Sequence, residues 1–199
     1  MDAYSYLFRG HVFANAQTGN LLLFGVHLAG RDFVTASRYM WPILSFAAGI
    51  ILSDMINAGK HYKRIHWRQL TVLIEALILA AVAFLPESAN AVANAMTSFA
   101  CGIQVESFRS IRGNSIATTM CIGNLRSGTY NLDQYFITKK QTFLRKAFLY
   151  YGIIISFIAG AIIESVLLPI GGKYSILFSS FLLMAALCCM FRGEAGRNA

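Results

Sequence analysis

Charge is what this chain has least of. Of its 199 residues only 13% are Asp, Glu, Lys or Arg, whereas 56% are hydrophobic. That balance is too apolar for an ordinary soluble chain, and no polar stretch is longer than a loop, so no separate soluble domain is expected. Carboxylates are scarcer still, nine against 17 Lys and Arg, for a net charge of +8. A basic excess raises nucleic acid as a partner. Here, however, the bases fall in loops between apolar runs, where they orient a membrane protein and touch anionic lipid; no nucleic-acid partner is expected. The four cysteines (Cys101, Cys121, Cys188 and Cys189) form no C-x-x-C pair and read as buried small hydrophobes. His11 and His27 stand alone, and His61 and His66 flank a basic loop, so no zinc spacing and no Ser/His/Asp order emerges. No metal, no cofactor and no catalytic residue is expected, and no cleavable signal peptide is recognisable.

What the chain has instead is long apolar runs, at residues 39–56, 70–85, 91–108, 147–168 and 174–191. An α-helix needs roughly 17–25 residues to cross the hydrocarbon, so most of these qualify and 70–85 is marginal. The fold class is all-α, a polytopic bundle forming a single membrane domain over residues 1–199. Pro86-Glu87 marks the end of one span, and Pro169 with Gly171-Gly172 a turn into the last.

Two further apolar stretches, 12–30 and 115–136, are interrupted by polar runs: Gln17-Thr18-Gly19-Asn20 and Cys121-Ile122-Gly123-Asn124. Glycine weakens a helix, and Thr and Asn side chains compete for its backbone hydrogen bonds. In a bilayer such a run is tolerated only where protein or a watery cavity takes up the freed groups. The flanking sequences repeat as well. Phe46-Ala47-Ala48-Gly49-Ile50 aligns with Phe157-Ile158-Ala159-Gly160-Ala161, and Asp2-Ala3-Tyr4-Ser5-Tyr6 with Gln104-Val105-Glu106-Ser107-Phe108. Each half, 1–86 and 87–199, then reads as a helix, an interrupted segment and two further helices, the first half having lost most of its opening helix.

Loop charge sets the orientation of the halves, because Lys and Arg near span ends stay cytoplasmic. If both interrupted segments are re-entrant, twelve bases (loops 57–69 and 139–146, Arg109, Arg112, Arg192 and Arg197) face inward against three outside. If both cross, the split is seven against eight. The re-entrant arrangement follows, with an odd number of crossings per half and therefore two inverted repeats. It puts loops 57–69 and 139–146 and the C-terminus in the cytoplasm.

Several stretches closely resemble the YoaK-like family of bacterial integral membrane proteins, a domain of unknown function. They are Asp2-Ala3-Tyr4-Ser5, the run from Gly10 to Asn20, Gly102-Ile103-Gln104 with Ser107-Phe108-Arg109, and the run from Ala117 to Arg126. The resemblance covers essentially the whole chain. It implies a bacterial inner-membrane protein with about six spans and no established activity. The family usually carries an apolar helix before Asp-Ala-Tyr-Ser, and Ile122 stands where its second motif commonly has threonine.

Inverted repeats with discontinuous helices are the recurring architecture of transporters, whose half-helix ends present unpaired backbone groups to a solute near the midplane. The N-terminal end of a helix favours anions. The expected function is therefore a small-solute transporter or channel for a polar or anionic ligand. Its site would comprise Thr18, Gly19, Asn20, Thr118, Thr119, Gly123, Asn124 and Arg126. The bland alternative for the glycines is close helix packing. Asp54, Glu106 and Glu164 are the proton-coupling candidates, since ionisable groups in spans are costly to place there. Glu106 could pair with Arg109, and Arg126 with Asp133 or Glu106 instead of a solute. A non-transporting scaffold or sensor is the runner-up, and an intramembrane enzyme comes third. Expected partners are the bilayer and a small solute or ion, with self-association into a homo-oligomer left open.

Overall fold

The computed structural model describes residues 1–59, 66–111, 114–115 and 121–195, and helix dominates it. Eight α-helices follow one another among the described residues. They are α1 (Asp2–Phe8), α2 (Gln17–Ala29), α3 (Phe33–Ala58), α4 (Trp67–Phe84), α5 (Asn90–Ser107), α6 (Cys121–Thr138), α7 (Gln141–Gly171) and α8 (Ile176–Ala195). Between α5 and α6, Ser110–Ile111 (β1) pairs antiparallel with Asn114–Ser115 (β2). Short 3-10 turns, Glu87–Ala89 and Gly172–Ser175, lead into α5 and α8.

Every apolar run lies on a helix. α3, α4 and the stretch from Gln141 to Arg192 are long and apolar enough to cross a membrane. The end of α4 follows from Pro86, which pushes Leu85 into an extended conformation and stops the helix. Pro169 behaves differently from the turn expected there. It stays within the last turns of α7, and Gly172, at φ +51°, makes the turn because only glycine takes that conformation freely. Asp32 caps α3 by accepting from the Thr35 amide at 3.0 Å. Hydrogen bonding from the Thr35 side chain and amide holds this exposed carboxyl below the usual carboxylate range. The cap is therefore formed at neutral pH and lost as acid titrates the group through its lowered native value.

Surface and interior are inverted relative to a soluble protein. Trp41, Leu44, Ile51 and Met55 of α3 and Phe181 and Leu182 of α8 are exposed, while Asn20, Gln69, Thr71, Glu75, Ser98 and Ser107 are buried. Lipid is an apolar solvent that cannot satisfy polar groups, so they turn inward.

The chain divides into two compact units, Met1–Ser107 with Glu164–Ala199, and Phe108–Ile163. Their boundaries do not follow the sequence repeat, which divides the chain between residues 86 and 87. In the first unit α5 packs against α3 and α4, α4 against α8, and α2 against α3. Its apolar centre joins Tyr4, Leu79, Val82, Ala83, Ala93, Ala100 and Ile176. The α3–α5 crossing is a backbone-to-backbone contact. A Cβ on Gly49 would strike the Phe99 carbonyl oxygen, and one on Gly102 would strike that of Phe46. A hydroxyl chain ties the same helices at one end. Ser107 Oγ donates to Thr71 Oγ1 at 2.9 Å, which donates to the Arg68 carbonyl at 2.9 Å. Ser53 Oγ, 3.0 Å from Ser107 Oγ, must then be the donor in that pair, since the Ser107 proton is already committed. In the second unit Tyr150 and Tyr151 of α7 come up against Gly128 of α6, and Thr129 Oγ1 meets Tyr151 Oη at 3.0 Å.

The glycine crossing makes a direct prediction. Gly49→Ala and Gly102→Ala each drive a methyl into a neighbouring carbonyl that cannot rotate away, for a loss of about 1–3 kcal/mol by overpacking. Gly25→Ala, where the added methyl meets nothing within 4 Å, serves as the control and should keep or raise stability. Thermal unfolding in detergent, followed by size-exclusion recovery, separates the two outcomes.

Candidate functional site

The first polar run does not interrupt a helix from within. The interruption is the irregular stretch from Arg9 to Ala16, and the Gly-Asn pair falls in the first turn of α2, which begins at Gln17. Gly10 at φ +89° and His11 at φ +60° turn the chain sharply out of α1. The stretch is then fastened at several points. Asp2 Oδ1 accepts from the Asn15 amide at 2.7 Å, just ahead of the positive end of α2, where a carboxylate is favoured. Ser5 Oγ accepts from the Ala14 amide at 3.0 Å, and Gln17 Nε2 donates to the Ala14 carbonyl at 2.9 Å.

Asn20 completes the fastening. Its Oδ1 accepts from the Phe13 amide at 3.0 Å, and its Nδ2 donates to the Phe13 carbonyl at 2.7 Å and to Gln17 Oε1 at 2.8 Å. This asparagine is wholly buried and mimics a strand partner for one loop residue. Gly19 has an equally local reason: the Phe13 ring stands 2.8 Å from where its Cβ would be. Thr18, by contrast, is exposed.

The residue that sequence reasoning did not nominate here is Arg9, only 1% exposed. Its Nε donates to Tyr4 Oη at 2.9 Å. Nη1 donates to the Pro86 carbonyl (3.1 Å) and Asn90 Oδ1 (3.0 Å), and Nη2 to the Val82 and Leu85 carbonyls (3.1 Å each). All five guanidinium N–H groups therefore have acceptors, mostly carbonyls at and just past the C-terminal end of α4, which no longer receive i+4 helical bonds. The guanidinium also lies over the Tyr4 and Phe8 rings at 5.5 and 5.2 Å. Tyr4 Oη in turn donates to the Lys173 carbonyl at 3.2 Å, and Asn94 Nδ2 donates to the Arg9 carbonyl at 2.8 Å. The signal was available: an arginine inside an apolar stretch must find several acceptors.

The second motif lies in the other unit. α6 is described from Cys121, and Gly123 and Asn124 lie on it as Gly19 and Asn20 lie on α2. Asn124 is buried, at 2% exposure. Gly123 is exposed, and a Cβ there would meet nothing within 4 Å. Arg126 and Asp133 are both exposed. Thr118 and Thr119 lie outside the described residues.

The proton-coupling candidates separate by environment. Asp54 is exposed on α3 and Glu106 half-buried in the last turn of α5. Arg109 lies past the end of α5, at Ser107, so it does not continue one helical face with Glu106. Glu164 is buried and accepts from Ser175 Oγ at 2.5 Å. Among the described residues no three His, Cys, Asp or Glu side chains gather closely enough to hold a metal ion.

Membrane-length apolar helices, a lipid-like exterior and a polar interior define the class: a polytopic α-helical membrane protein. The particular family follows from comparison, for the profile of the protein family of unknown function DUF1275 matches residues 1–189, and the chain belongs to it. The chain is also similar to the UPF0700 transmembrane protein YoaK of Bacillus subtilis (strain 168), with 28% identity over 180 residues, 85% of this chain and 78% of that protein. No solved structure matches it.

Arg9 supplies the prediction here. Arg9→Met takes the guanidinium donors from four buried oxygens, of which the Val82 and Pro86 carbonyls keep a backbone donor while the Leu85 carbonyl and Asn90 Oδ1 lose the Arg9 bond, and should cost on the order of 3 kcal/mol. Arg9→Lys keeps the charge but has two donors fewer, and should recover only part of that loss. Residual folded fraction after a heat step, read by fluorescence-detected chromatography, ranks the three proteins.

Proposed function

We propose that this protein is a small-solute transporter or channel of the bacterial inner membrane, built as two inverted repeats and acting on a polar or anionic ligand. The observation that carries the reading is the pair of helices α2 and α6. Each lies within an apolar stretch and carries a Gly-Asn pair whose asparagine is buried. α2, with 13 residues, is about 20 Å long, short of the roughly 30 Å hydrocarbon core. A helix that starts inside the bilayer directs its free amides and positive end at whatever fills the gap, and a solute with acceptor oxygens suits that place. In this reading Thr18 and Gly19 of the first unit, and Thr118, Thr119, Gly123, Asn124 and Arg126 of the second, are the residues that meet the ligand. Asn20 shapes its half through the loop it holds, and Asp54, Glu106 and Glu164 remain the carboxylates available for coupling. The basic loops 57–69 and 139–146 and the C-terminus face the cytoplasm.

A second reading, a scaffold or sensor that moves nothing, is favoured by one specific observation: Asn20 directs both ends of its amide to its own loop and helix. Flux decides between them. In proteoliposomes loaded with a panel of labelled small anions and polar solutes, one class should exchange faster than in empty vesicles. Asn124→Ala and Arg126→Gln should each slow that exchange about tenfold or more, the loss of one hydrogen bond to a charged group. Exchange that matches empty vesicles for every solute would leave the scaffold. Cysteine labelling that located residues 31–38 and 139–146 on the same side of the membrane would remove the inverted repeat.

A further inference from the structure

Glu75 is the charged side chain that neither the site nor the clasp uses. It lies in the middle of α4, is 0% exposed, and both its carboxyl oxygens are buried without a hydrogen-bond partner. The other buried carboxylate, Glu164, already has Ser175. Position explains what Glu75 faces. Thr71, Glu75 and Leu79 are spaced four apart and therefore share one stripe of α4. Thr71 meets Ser107 of α5, and Leu79 lies in the cluster that includes Ala100 of α5. On α5 the residues between Ser107 and Ala100 at helical spacing are Ile103 and Gln104, and of these Gln104 carries the polar group. Glu75 and Gln104 thus stand at the same level of two facing stripes, and Gln104 Oε1 is likewise buried with no partner.

Two bare acceptors at one level call for a donor. An ionised carboxylate offers none and would repel the amide oxygen, and an uncompensated buried charge is far costlier than a neutral acid. A carboxylic acid offers one O–H, and Gln104 Oε1 can receive it. We propose that Glu75 is a proton-binding site inside the membrane domain. It takes up one proton on a carboxylate oxygen and presents it to Gln104 Oε1. The Ser53–Ser107–Thr71 hydroxyl chain lies one helical turn away, towards the basic 57–69 end of α4. Two titratable groups act on Glu75 or are acted on by it: the amine of Met1, and the Cys101 thiol of α5, which also lies in the field of Asp2. None from α3 or α8 does so among the described residues. Asp54, exposed on α3, does not share this enclosure.

The test needs no solute, so its failure is distinct from failure of the transport reading. The full chain in phosphatidylcholine nanodiscs is examined at neutral pH by infrared spectroscopy. The C=O stretch of a protonated carboxyl should be present and should be lost in Glu75→Gln, an isosteric and neutral change. In parallel, dicyclohexylcarbodiimide, which captures carboxyls in their protonated form, should modify Glu75 as located by peptide mass mapping. The rate should fall about tenfold per pH unit above the group's titration, and sodium should not protect it. The mapping uses the unaltered protein and stands even if Glu75→Gln fails to fold. An unmodified Glu75 together with an infrared band unchanged in Glu75→Gln would overturn the proposal. Protection by sodium would overturn it too, assigning the pocket to a metal cation.

Discussion

The guanidinium of Arg9 bears on nearly everything else in the first unit. It is a full charge buried in a protein whose exterior is apolar, and no carboxylate forms an ion pair with it among the described residues. What offsets its burial is a ring of oxygens: the carbonyls of Val82, Leu85 and Pro86, the Asn90 side chain and the Tyr4 hydroxyl. Those groups come from α1, the end of α4 and the start of α5, so one side chain fastens α1 to the α4–α5 connection more than seventy residues away. The same bonds meet a need of the helix itself. Pro86 ends α4 abruptly and has no amide to offer Val82, which keeps only a longer bond from Leu85, and in lipid no water would make up the difference. A helix terminus that would be costly alone and a cation that would be costly alone satisfy one another.

The principle extends to the stretch after Arg9. Residues 9–16 have no helix to satisfy their backbone, and side chains do it: Asp2 for Asn15, Ser5 for Ala14, and Asn20 for both groups of Phe13. The Asp-Ala-Tyr-Ser run thereby acquires a physical meaning residue by residue. Asp2 and Ser5 reach forward to the loop, and Tyr4 bridges Arg9 and the Lys173 carbonyl. A polar motif in a membrane protein invites a functional reading by default, but these residues are first of all the hydrogen-bond partners that lipid does not provide.

How much of this was legible in the sequence differs by scale. The helices were, because a run such as 39–56 is apolar over the full thickness of a bilayer and nothing but helix satisfies its backbone there. The stop at Pro86 was legible because it depends on local sterics alone. The turn after α7 was misjudged between two neighbours: Pro169 can stay in a helix, while Gly172 supplies the positive φ. Apart from Tyr4, the partners of Arg9 were not legible, for they lie more than seventy residues away and converge only once α4 and α5 are packed. Nor was the use of Gly49. Its alignment with Gly160 marked it as repeated, yet only Gly49 is pressed against a neighbouring backbone, and a Cβ on Gly160 meets nothing within 4 Å.

That difference bears on what a repeat means here. Gly19-Asn20 and Gly123-Asn124 both lie on helices, but the first glycine lies under the Phe13 ring and the second has open space where a Cβ would go. Packing therefore requires glycine at position 19, whereas no steric neighbour requires it at 123. The same dipeptide meets different surroundings in the two helices, and the reason for glycine found at 19 does not carry over to 123. Sequence similarity between the halves thus does not carry identical packing with it: the first run braces the loop of residues 9–16, while a Cβ at Gly123 would meet nothing within 4 Å. A repeated motif in this molecule is therefore to be read one residue at a time, since its two copies do not share the packing that explains the first.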